Sequence, residues 1–257
     1  MDYKIIEREN INYITVPKLE ELGVKNMFTM DKIDFKLPNP LDEEKRKKTF
    51  DICFDEMDIE PKNIFTSRQI HSKKVVSIEN DKNYDRLKYW NRYPDCDGLI
   101  TNTSKTLLLT KYADCLPIVL FDTQNRVIAN VHSGWRGTLQ KIVLEAIDQM
   151  INYYNSDPKN IIAILGPAIG YKDFEVTKEV YEEFHKQFNY DNIIKQKDET
   201  HWLIDTRKIN KNLLKEAKIL AENIISIDIS TVSDKRFHSY RRDGKNYKLM
   251  GALTYLE

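Results

Sequence analysis

Residues Tyr112–Gly137 read YADCLPIVLFDTQNRVIANVHSGWRG, and this stretch decides the fold. Two apolar runs, Leu116–Phe121 and Val127–Val131, flank the polar residues DTQN at Asp122–Asn125. Short apolar runs joined by a polar turn are typical of a β-hairpin whose strands are buried on both faces. We therefore predict a buried hairpin here, followed by a helix after the glycine-rich HSGWRG.

The hairpin places two reactive side chains together. A loop centred in the middle of DTQN sets Cys115 directly opposite His132, with Cβ atoms about 4.5–5.5 Å apart on one face. That separation suits two ligands of one zinc ion, and it suits a thiolate–imidazolium pair equally well. A third metal ligand would have to come from elsewhere in the chain. His71, just before a predicted strand, and His238, near a basic turn, are the two candidates that the residues alone leave open.

The rest of the chain alternates strand and helix patterns. An amphipathic stripe predicts a helix over Thr138–Tyr154, and further helices are predicted to open at Thr177 and Thr206. Strands outnumber helices, and no change of composition divides the chain. We predict a mixed α/β fold forming one domain over residues 1–257. The remaining predicted strands are Lys73–Ile78, Gly98–Thr101, Thr106–Thr110, Ile161–Leu165 and Ile224–Ser226.

Composition excludes several classes of protein. The 257 residues carry 40 basic and 40 acidic side chains, so the basic excess of a nucleic-acid-binding protein is missing. No apolar run approaches the roughly 18 residues of a membrane span, and the N-terminus does not resemble a signal peptide. Three scattered cysteines without a CxxC motif make a poor disulfide framework or zinc knuckle. We expect a cytoplasmic protein with no nucleic-acid or membrane partner.

Two arginine-containing turns are candidate anion sites. Arg136 lies at the predicted start of a helix, where backbone N–H groups and a guanidinium favour a phosphate. Arg241 and Arg242 form a second basic turn beside Tyr240, where they could hold a phosphate or stack on a base. Either turn could instead be structural or simply solvated.

Six strings in this order resemble one known family, the YfiH-like proteins long called laccase-domain or polyphenol oxidase proteins. The similarity spans roughly residues 66–244, and its most specific part is ADC followed by HSGWRG. The strings are QIHS, DGLIT, YADCLPIVLFD, VHSGWRG, ILGPAIG with FEV, and FHSYRRDG.

The resemblance implies a fold, a metal site and an activity. Family members are described as zinc-dependent purine nucleoside phosphorylases with adenosine deaminase side activity. Matched residue by residue, the family's metal ligands are His71, Cys115 and His132, so the resemblance chooses His71 over His238. The implied fold is a single α/β mixed-sheet sandwich related to the toxin deamidase CNF.

We therefore expect zinc as the cofactor, with a purine nucleoside and phosphate as substrates. The expected reactions are phosphorolysis of adenosine, inosine and methylthioadenosine to the base and ribose 1-phosphate, and deamination of adenosine. Asp114 is a candidate general acid or base, or an orienter of the ligand beside it. Arg136 joins Asp114 and Cys115 as a catalytic residue. Residues assigned to substrate binding are Gln69, Arg241 and Arg242.

Two other functions remain open. A copper polyphenol oxidase is the older label, but five histidines and no HxH pair argue against a multicopper cluster. A metal-free Cys–His amide hydrolase is the other alternative, because the related toxin deamidase uses a Cys–His pair and this would need a low-pKa Cys115.

The chain also departs from the family. Many members carry an N-terminal STRxGGVS string where this chain has FTMDKIDF, at residues 28–35. Many have a cysteine pair where this chain has Tyr171, Lys172 and Asp173, and a further cysteine where it has Ser230. None of these positions is a metal-ligand position, so we expect them to affect substrate range rather than metal binding.

Overall fold

The computed structural model describes residues 2–36 and 42–257. Within those ranges, none of the helices has the combined length and apolar character of a membrane span. The helices are α1 (Pro17–Glu20), α2 (Glu43–Met57), α3 (Trp135–Leu139), α4 (Ile142–Tyr154), α5 (Lys178–Gln187), α6 (Thr206–Glu216) and α7 (Tyr240–Asp243). The strands are β1 (Lys4–Glu7), β2 (Asn12–Thr15), β3 (Val24–Thr29), β4 (Asn63–Ser67), β5 (Val75–Ser77), β6 (Asp85–Arg86), β7 (Asn91–Tyr93), β8 (Gly98–Thr101), β9 (Thr106–Tyr112), β10 (Leu116–Asp122), β11 (Val127–Ser133), β12 (Ile161–Leu165), β13 (Glu175–Thr177), β14 (Ile194–Gln196), β15 (His201–Ile204), β16 (Ile224–Ser226) and β17 (Met250–Leu256).

Two large mixed sheets form the body of the molecule. The first has eight strands in the order β1-β2-β3-β17-β9-β4-β7-β6, and the second has six in the order β16-β12-β10-β11-β8-β5. A small three-stranded sheet, β13-β15-β14, lies apart from both. Parallel pairs such as β4 with β9 and β12 with β16 occur beside antiparallel ones, as predicted for a mixed sheet.

The two large sheets pack face to face. Phe28 and Leu108 of the first sheet share one buried cluster with Val119 and Phe121 of the second. Helix α2 covers the outer face of the eight-stranded sheet, while α4 and α6 cover the outer face of the six-stranded sheet. These layers confirm the predicted mixed-sheet α/β sandwich, and the single-domain organisation over residues 1–257 stays a prediction.

The central hairpin forms, but its register differs from the predicted one. Strand β10 pairs with β11 so that Pro117, not Cys115, lies opposite His132, and the pairing ends at Asp122 with Val127. The cross-strand pairing of Cys115 with His132 was therefore wrong. The buried Asp122 carboxylate accepts hydrogen bonds from the backbone N–H groups two and three residues further on, which centres the turn one residue later than expected. Each residue of β10 is therefore paired two positions away from its predicted partner on β11. Because side chains alternate between the two faces of a strand, a shift of two positions keeps the same faces buried.

Two helix boundaries also differ. The predicted helix over Thr138–Tyr154 is two helices, α3 and α4, separated at Lys141, whose φ of 58° is left-handed. The apolar stripe continues across the break, so periodicity could not reveal it. Helix α6 is capped by Asp205 rather than Thr206, because the Asp205 carboxylate accepts the backbone N–H of Lys208.

Candidate active site and metal centre

A cavity of about 630 Å³ lies where β9 and β11 end and β10 begins, between the edges of the two large sheets. Its volume is typical of a site for a small organic molecule. The residues that border it are Arg68, Gln69, His71, Lys111, Tyr112, Ala113, Asp114, Cys115, Leu116, His132, Ser133, Trp135, Arg136, Ile169, Phe174, Thr206, Tyr240, Arg241, Tyr247 and Leu249.

Three separate segments bring metal-ligand side chains to this cavity. His71 lies in the loop after β4, Cys115 in the turn before β10, and His132 near the end of β11. Their ligand atoms all lie within 4.8 Å of one another. The predicted convergence of the three side chains is therefore confirmed, although Cys115 reaches His132 from a turn and not from a paired strand position. Their role as metal ligands stays a prediction.

Asp97 orients His132, and sequence reasoning missed it. The Asp97 side chain is fully buried at the start of β8, and its Oδ1 lies 2.9 Å from Nδ1 of His132. The hydrogen bond assigns the ring proton to Nδ1, which leaves Nε2 for the cavity. The signal available was an acidic residue directly before an apolar strand, in the string DGLIT.

Asp97 also fixes the loop that carries His71. Its carboxylate accepts the backbone N–H of His71 at 3.0 Å and both the N–H and the hydroxyl of Ser72 at 2.7 Å. Burial opposes ionisation of Asp97, but the hydrogen bonds from His132 and Ser72 lower its pKa to about 2. His71 has a φ of 61°, a strained backbone conformation that these bonds hold in place.

Cys115 and His132 perturb one another strongly. Burial opposes ionisation of the Cys115 thiol, but the charge of His132 and hydrogen bonds from His132 and His71 lower its pKa to about 6. Burial likewise opposes protonation of His132, yet Cys115 and Asp97 raise its pKa to about 9. Each group therefore favours the charged form of the other, the thiolate of Cys115 and the imidazolium of His132.

The donor set and the space around it fit a single zinc ion. Zinc binds thiolate sulfur at about 2.3 Å and imidazole nitrogen at about 2.0–2.1 Å, which three atoms this close can satisfy after small movements. Gly134 lies against the cluster, since a Cβ added there would come within 2.7 Å of His71 Cδ2 and 3.1 Å of Cys115 Sγ. A glycine at this position keeps the centre of the three donors open.

Asp114 anchors a neighbouring turn. Its carboxylate accepts hydrogen bonds from the Thr231 hydroxyl at 2.6 Å, the Ser239 hydroxyl at 3.0 Å and the backbone N–H of Arg241 at 2.6 Å. Both oxygens are therefore engaged: Oδ2 holds the start of α7 beside the cavity, and Oδ1 holds Thr231. This arrangement favours the orienting role over the general acid or base role, which stays a prediction.

The predicted substrate arginines differ in how free they are. The exposed Arg136 guanidinium stacks on Trp135 with 4.1 Å to the ring centroid, and it makes no side-chain hydrogen bond to residues 2–36 or 42–257. Arg241 borders the cavity but donates to the carbonyl oxygens of Asp173 and Glu175. Arg136 is the freer of the two to meet an anion.

Arg242 and Gln69 both use their side chains in hydrogen bonds within the fold, and the substrate-binding role of Gln69 stays a prediction. Arg242 does not border the cavity, and its five N–H groups donate to Asp243 and to the carbonyl oxygens of residues 231, 232 and 237. The structure therefore does not bring Arg242 to the site. Gln69 borders the cavity, but its amide pairs with the backbone N–H and carbonyl of Lys111 at 2.8 and 2.7 Å. These two hydrogen bonds join the loop that carries His71 to β9.

The positions that depart from the family lie beside the site or away from it. Asp173 accepts hydrogen bonds from the hydroxyls of Ser230 at 2.5 Å and Ser233 at 2.8 Å, so a carboxylate joins segments where many family members carry cysteines. None of residues 28–35 borders the cavity. His238, the alternative third ligand, does not border it either.

Comparison with known proteins identifies the family. A family model described as multi-copper polyphenol oxidoreductase laccase matches residues 32–256. The mouse protein named purine nucleoside phosphorylase LACC1 is 33% identical over 156 residues, which cover 59% of this chain but only 36% of that protein. The protein named adenosine deaminase RL5, from an unknown prokaryotic organism, is 34% identical over 183 residues, 70% of each chain.

Solved structures agree on the fold. The crystal structure of the hypothetical protein YfiH of Bacillus licheniformis superposes with a TM-score of 0.86 at 21% identity, over 98% of this chain and 99% of that one. The resemblance drawn from the sequence motifs is thus confirmed. The chain belongs to the YfiH-like family of laccase-domain proteins.

Proposed function

We propose that this protein is a zinc-dependent purine nucleoside enzyme. It splits adenosine, inosine and methylthioadenosine with phosphate into the base and ribose 1-phosphate, and it deaminates adenosine. The observation that carries the proposal is the convergence of His71, Cys115 and His132 within 4.8 Å in a cavity of about 630 Å³. The names of the mouse and RL5 relatives support a nucleoside as the substrate.

The chain's own residues can bind a nucleoside in this cavity. Trp135, Phe174, Tyr240 and Tyr247 border it, so aromatic side chains are available to contact a purine base. Arg136 presents a guanidinium that is free to face an anion. When bound at the three ligands, zinc supplies a Lewis acid beside the substrate.

Asp97 keeps the ligands ready for this chemistry. By accepting a hydrogen bond from Nδ1–H of His132, Asp97 directs Nε2 to the cavity. By accepting the backbone N–H of His71, it also fixes the loop that carries the second imidazole. In phosphorolysis, a phosphate oxygen attacks the anomeric carbon of the ribose as the glycosidic bond breaks. The base leaves with the bonding electrons and takes up a proton at nitrogen.

A metal-free Cys–His hydrolase is a second candidate, because the lowered pKa of Cys115 and raised pKa of His132 describe an activated nucleophile. Its activity on an amide substrate would survive chelation, whereas the zinc enzyme would lose activity. Copper oxidase chemistry has less support, since residues 2–36 and 42–257 contain this single three-ligand cluster. One copper held by Cys and His resembles an electron-transfer centre rather than an oxygen-reducing one.

The deciding experiment uses protein of verified metal content. Incubation with adenosine and phosphate is expected to give adenine and ribose 1-phosphate, and incubation without phosphate is expected to give inosine, both identified by mass. A chelator should stop both reactions, and zinc should restore them. Product formation that is unaffected by metal removal would contradict the zinc-dependent mechanism, and copper-dependent oxidation of a phenol would favour the oxidase.

The cellular setting is part of the proposal. None of the three cysteines, all of which lie in residues 42–257, forms a disulfide. Free thiols fit a reducing compartment, so we place the enzyme in the cytoplasm. We also propose that residues 1–257 act as one catalytic domain.

A further inference from the structure

Lys111 borders the cavity but has no role in the site described so far. It lies near the end of β9, on the face of the eight-stranded sheet that packs under α2. We propose that the Lys111 ammonium binds the phosphate co-substrate on this side of the cavity. The inference rests on the proposed phosphorolysis and names the group that holds its second substrate.

Lys111 has no counter-ion. Its Nζ donates a hydrogen bond of 3.3 Å to the carbonyl oxygen of Ser67, and no carboxylate in residues 2–36 or 42–257 forms an ion pair with it. The remaining residues of the printed sequence, Met1 and residues 37–41, contain no acidic side chain. An ammonium group has three donors, so most of its hydrogen-bonding capacity remains for a ligand.

The surroundings of Lys111 carry an excess of positive charge. Burial, together with the like charges of Arg46 and Arg92, lowers the pKa of Lys111 to about 8. Arg92 is paired with Asp85, but Arg46 has a buried Nε without a hydrogen-bond partner, and its guanidinium lies over the Trp90 ring. Buried charges are normally paired, because desolvation without compensation is unfavourable. A phosphate anion would supply the missing negative charge.

The other cations at this side of the cavity are occupied. Arg68 forms an ion pair with Asp95 at 2.5 Å, so its charge is already balanced. The Lys111 ammonium, in contrast, forms no ion pair within residues 2–36 and 42–257, and Gln69 holds the Lys111 backbone by two hydrogen bonds. Gln69 is two residues from His71, which sets Lys111 beside the ligand loop. Arg136, in α3 after β11, also borders the cavity, so the cavity carries a second cation besides Lys111.

The test compares Lys111→Met with Lys111→Arg. Calorimetric titration with inorganic phosphate is expected to show binding weakened on the order of 10- to 100-fold in the Met variant, the usual cost of losing a charge-assisted hydrogen bond. The Arg variant keeps the charge and should stay within about fivefold of the parent. In turnover assays the KM for phosphate should rise while the KM for adenosine changes far less.

Lys82→Met is the matched control. Lys82 also donates to a backbone carbonyl, that of Ile78 at 3.0 Å, but it does not border the cavity. Its loss should leave phosphate binding unchanged. Because methionine replaces an unpaired charge by an apolar chain of similar length, Lys111→Met should not lower the melting temperature, and Lys111→Gln provides a second variant if it does.

The outcomes separate this inference from the proposed function. Equal phosphate affinity in the parent and in Lys111→Met would overturn the phosphate site, whether or not phosphorolysis occurs. An equal rise in the KM values of both substrates, or loss of zinc from the variant, would overturn it in favour of a structural role for Lys111. A parent protein that binds phosphate through Lys111 but forms no ribose 1-phosphate would instead contradict the proposed reaction alone.

Discussion

A buried carboxylate lies at each end of the β10–β11 hairpin, and the two carboxylates have different roles. At the turn, Asp122 accepts hydrogen bonds from the backbone of Gln124 and from the backbone and side chain of Asn125. All these donors lie within three residues, and this part of the hairpin contains no metal-ligand cluster. The carboxylate is satisfied locally and serves to close a turn.

At the open end, the carboxylate comes from Asp97, the residue directly before β8. It binds His132, the backbone of His71 and the side chain of Ser72, which belong to distant parts of the chain. The groups it orients lie beside a half-buried Cys115 that contacts His71 at 3.7 Å. A buried carboxylate that gathers remote segments around reactive side chains indicates a site, whereas one that bonds its own turn indicates structure.

The largest effect should come from Cys115→Ala. The change removes the thiolate, leaving two imidazoles that hold zinc too weakly under competition, so bound zinc and adenosine turnover should both be lost. The fold should survive, since such a change costs on the order of 1 kcal/mol against a stability of roughly 5–15 kcal/mol. Metal analysis, turnover and thermal unfolding measure the three quantities.

Cys96→Ala is the control for that variant. Cys96 is fully buried between the sheets and does not border the cavity, so its loss should leave zinc and turnover nearly intact. Retained zinc and activity in the Cys115 variant would contradict the zinc-dependent mechanism. Equal losses in both variants would indicate a general folding defect.

The three cysteines should also differ in reactivity once metal is removed. The alkylation rate of Cys115 by iodoacetamide should rise with pH through about 6 and then level off, because the thiolate reacts and the pKa of this thiol is about 6. An ordinary thiol rises through about 8.5. Burial raises the pKa of Cys96 to about 12 and that of Cys53 even further, so both should remain unmodified.

Peptide mass mapping at several pH values reads out this selectivity. Zinc-loaded protein should protect Cys115, which provides the internal control. A midpoint near 8.5 in the stripped protein, the ordinary thiol value, would contradict the proposed effect of His132. Equal modification with and without zinc would show that Cys115 is not a ligand.

Asp97→Asn and Asp122→Asn test whether the two buried carboxylates differ in function. An asparagine amide in place of the Asp97 carboxylate carries no negative charge, so its hydrogen bond with Nδ1–H of His132 is weaker. Zinc affinity should therefore fall roughly 10- to 100-fold, the usual cost of losing such a partner. Asp122→Asn should retain zinc and lower stability by about 1 kcal/mol through a weakened turn. Zinc competition titrations and denaturant unfolding separate the two. If Asp122→Asn weakened zinc as much as Asp97→Asn, the division into structural and functional ends would be wrong.

Much of the site could be predicted because its residues belong to specific strings. Cys115, His132 and His71 stand in ADC, HSGWRG and QIHS, and the structure brings them together. The hairpin itself followed from two apolar runs around a polar turn. Its register did not, because four polar residues permit more than one turn and the Asp122 side chain selects among them in the folded protein.

Other features depend on contacts that spacing does not encode. Asp97 stands before a glycine at a strand start, where an acidic residue is also common in turns, and only the folded protein shows it buried against His132. Lys111 follows a run of buried strand residues, and nothing in its neighbours reveals that it lacks a counter-ion. Arg242 sits in a basic turn that suggested a phosphate site, but carbonyl oxygens from residues 231–237 occupy it.

The smallest effect should come from the arginine that is already satisfied. Arg242→Ala removes five hydrogen bonds that hold its turn, so it should lower stability by about 1–2 kcal/mol while the KM for phosphate stays within about threefold. Arg136→Ala, which removes a free guanidinium at the cavity, should raise that KM with little change in unfolding. Steady-state kinetics and thermal unfolding of both variants give the comparison. A large rise in KM for Arg242→Ala at unchanged stability would mean that substrate replaces the carbonyl oxygens as the hydrogen-bond partner of Arg242. A side chain whose hydrogen bonds are all made within the fold could then still bind substrate.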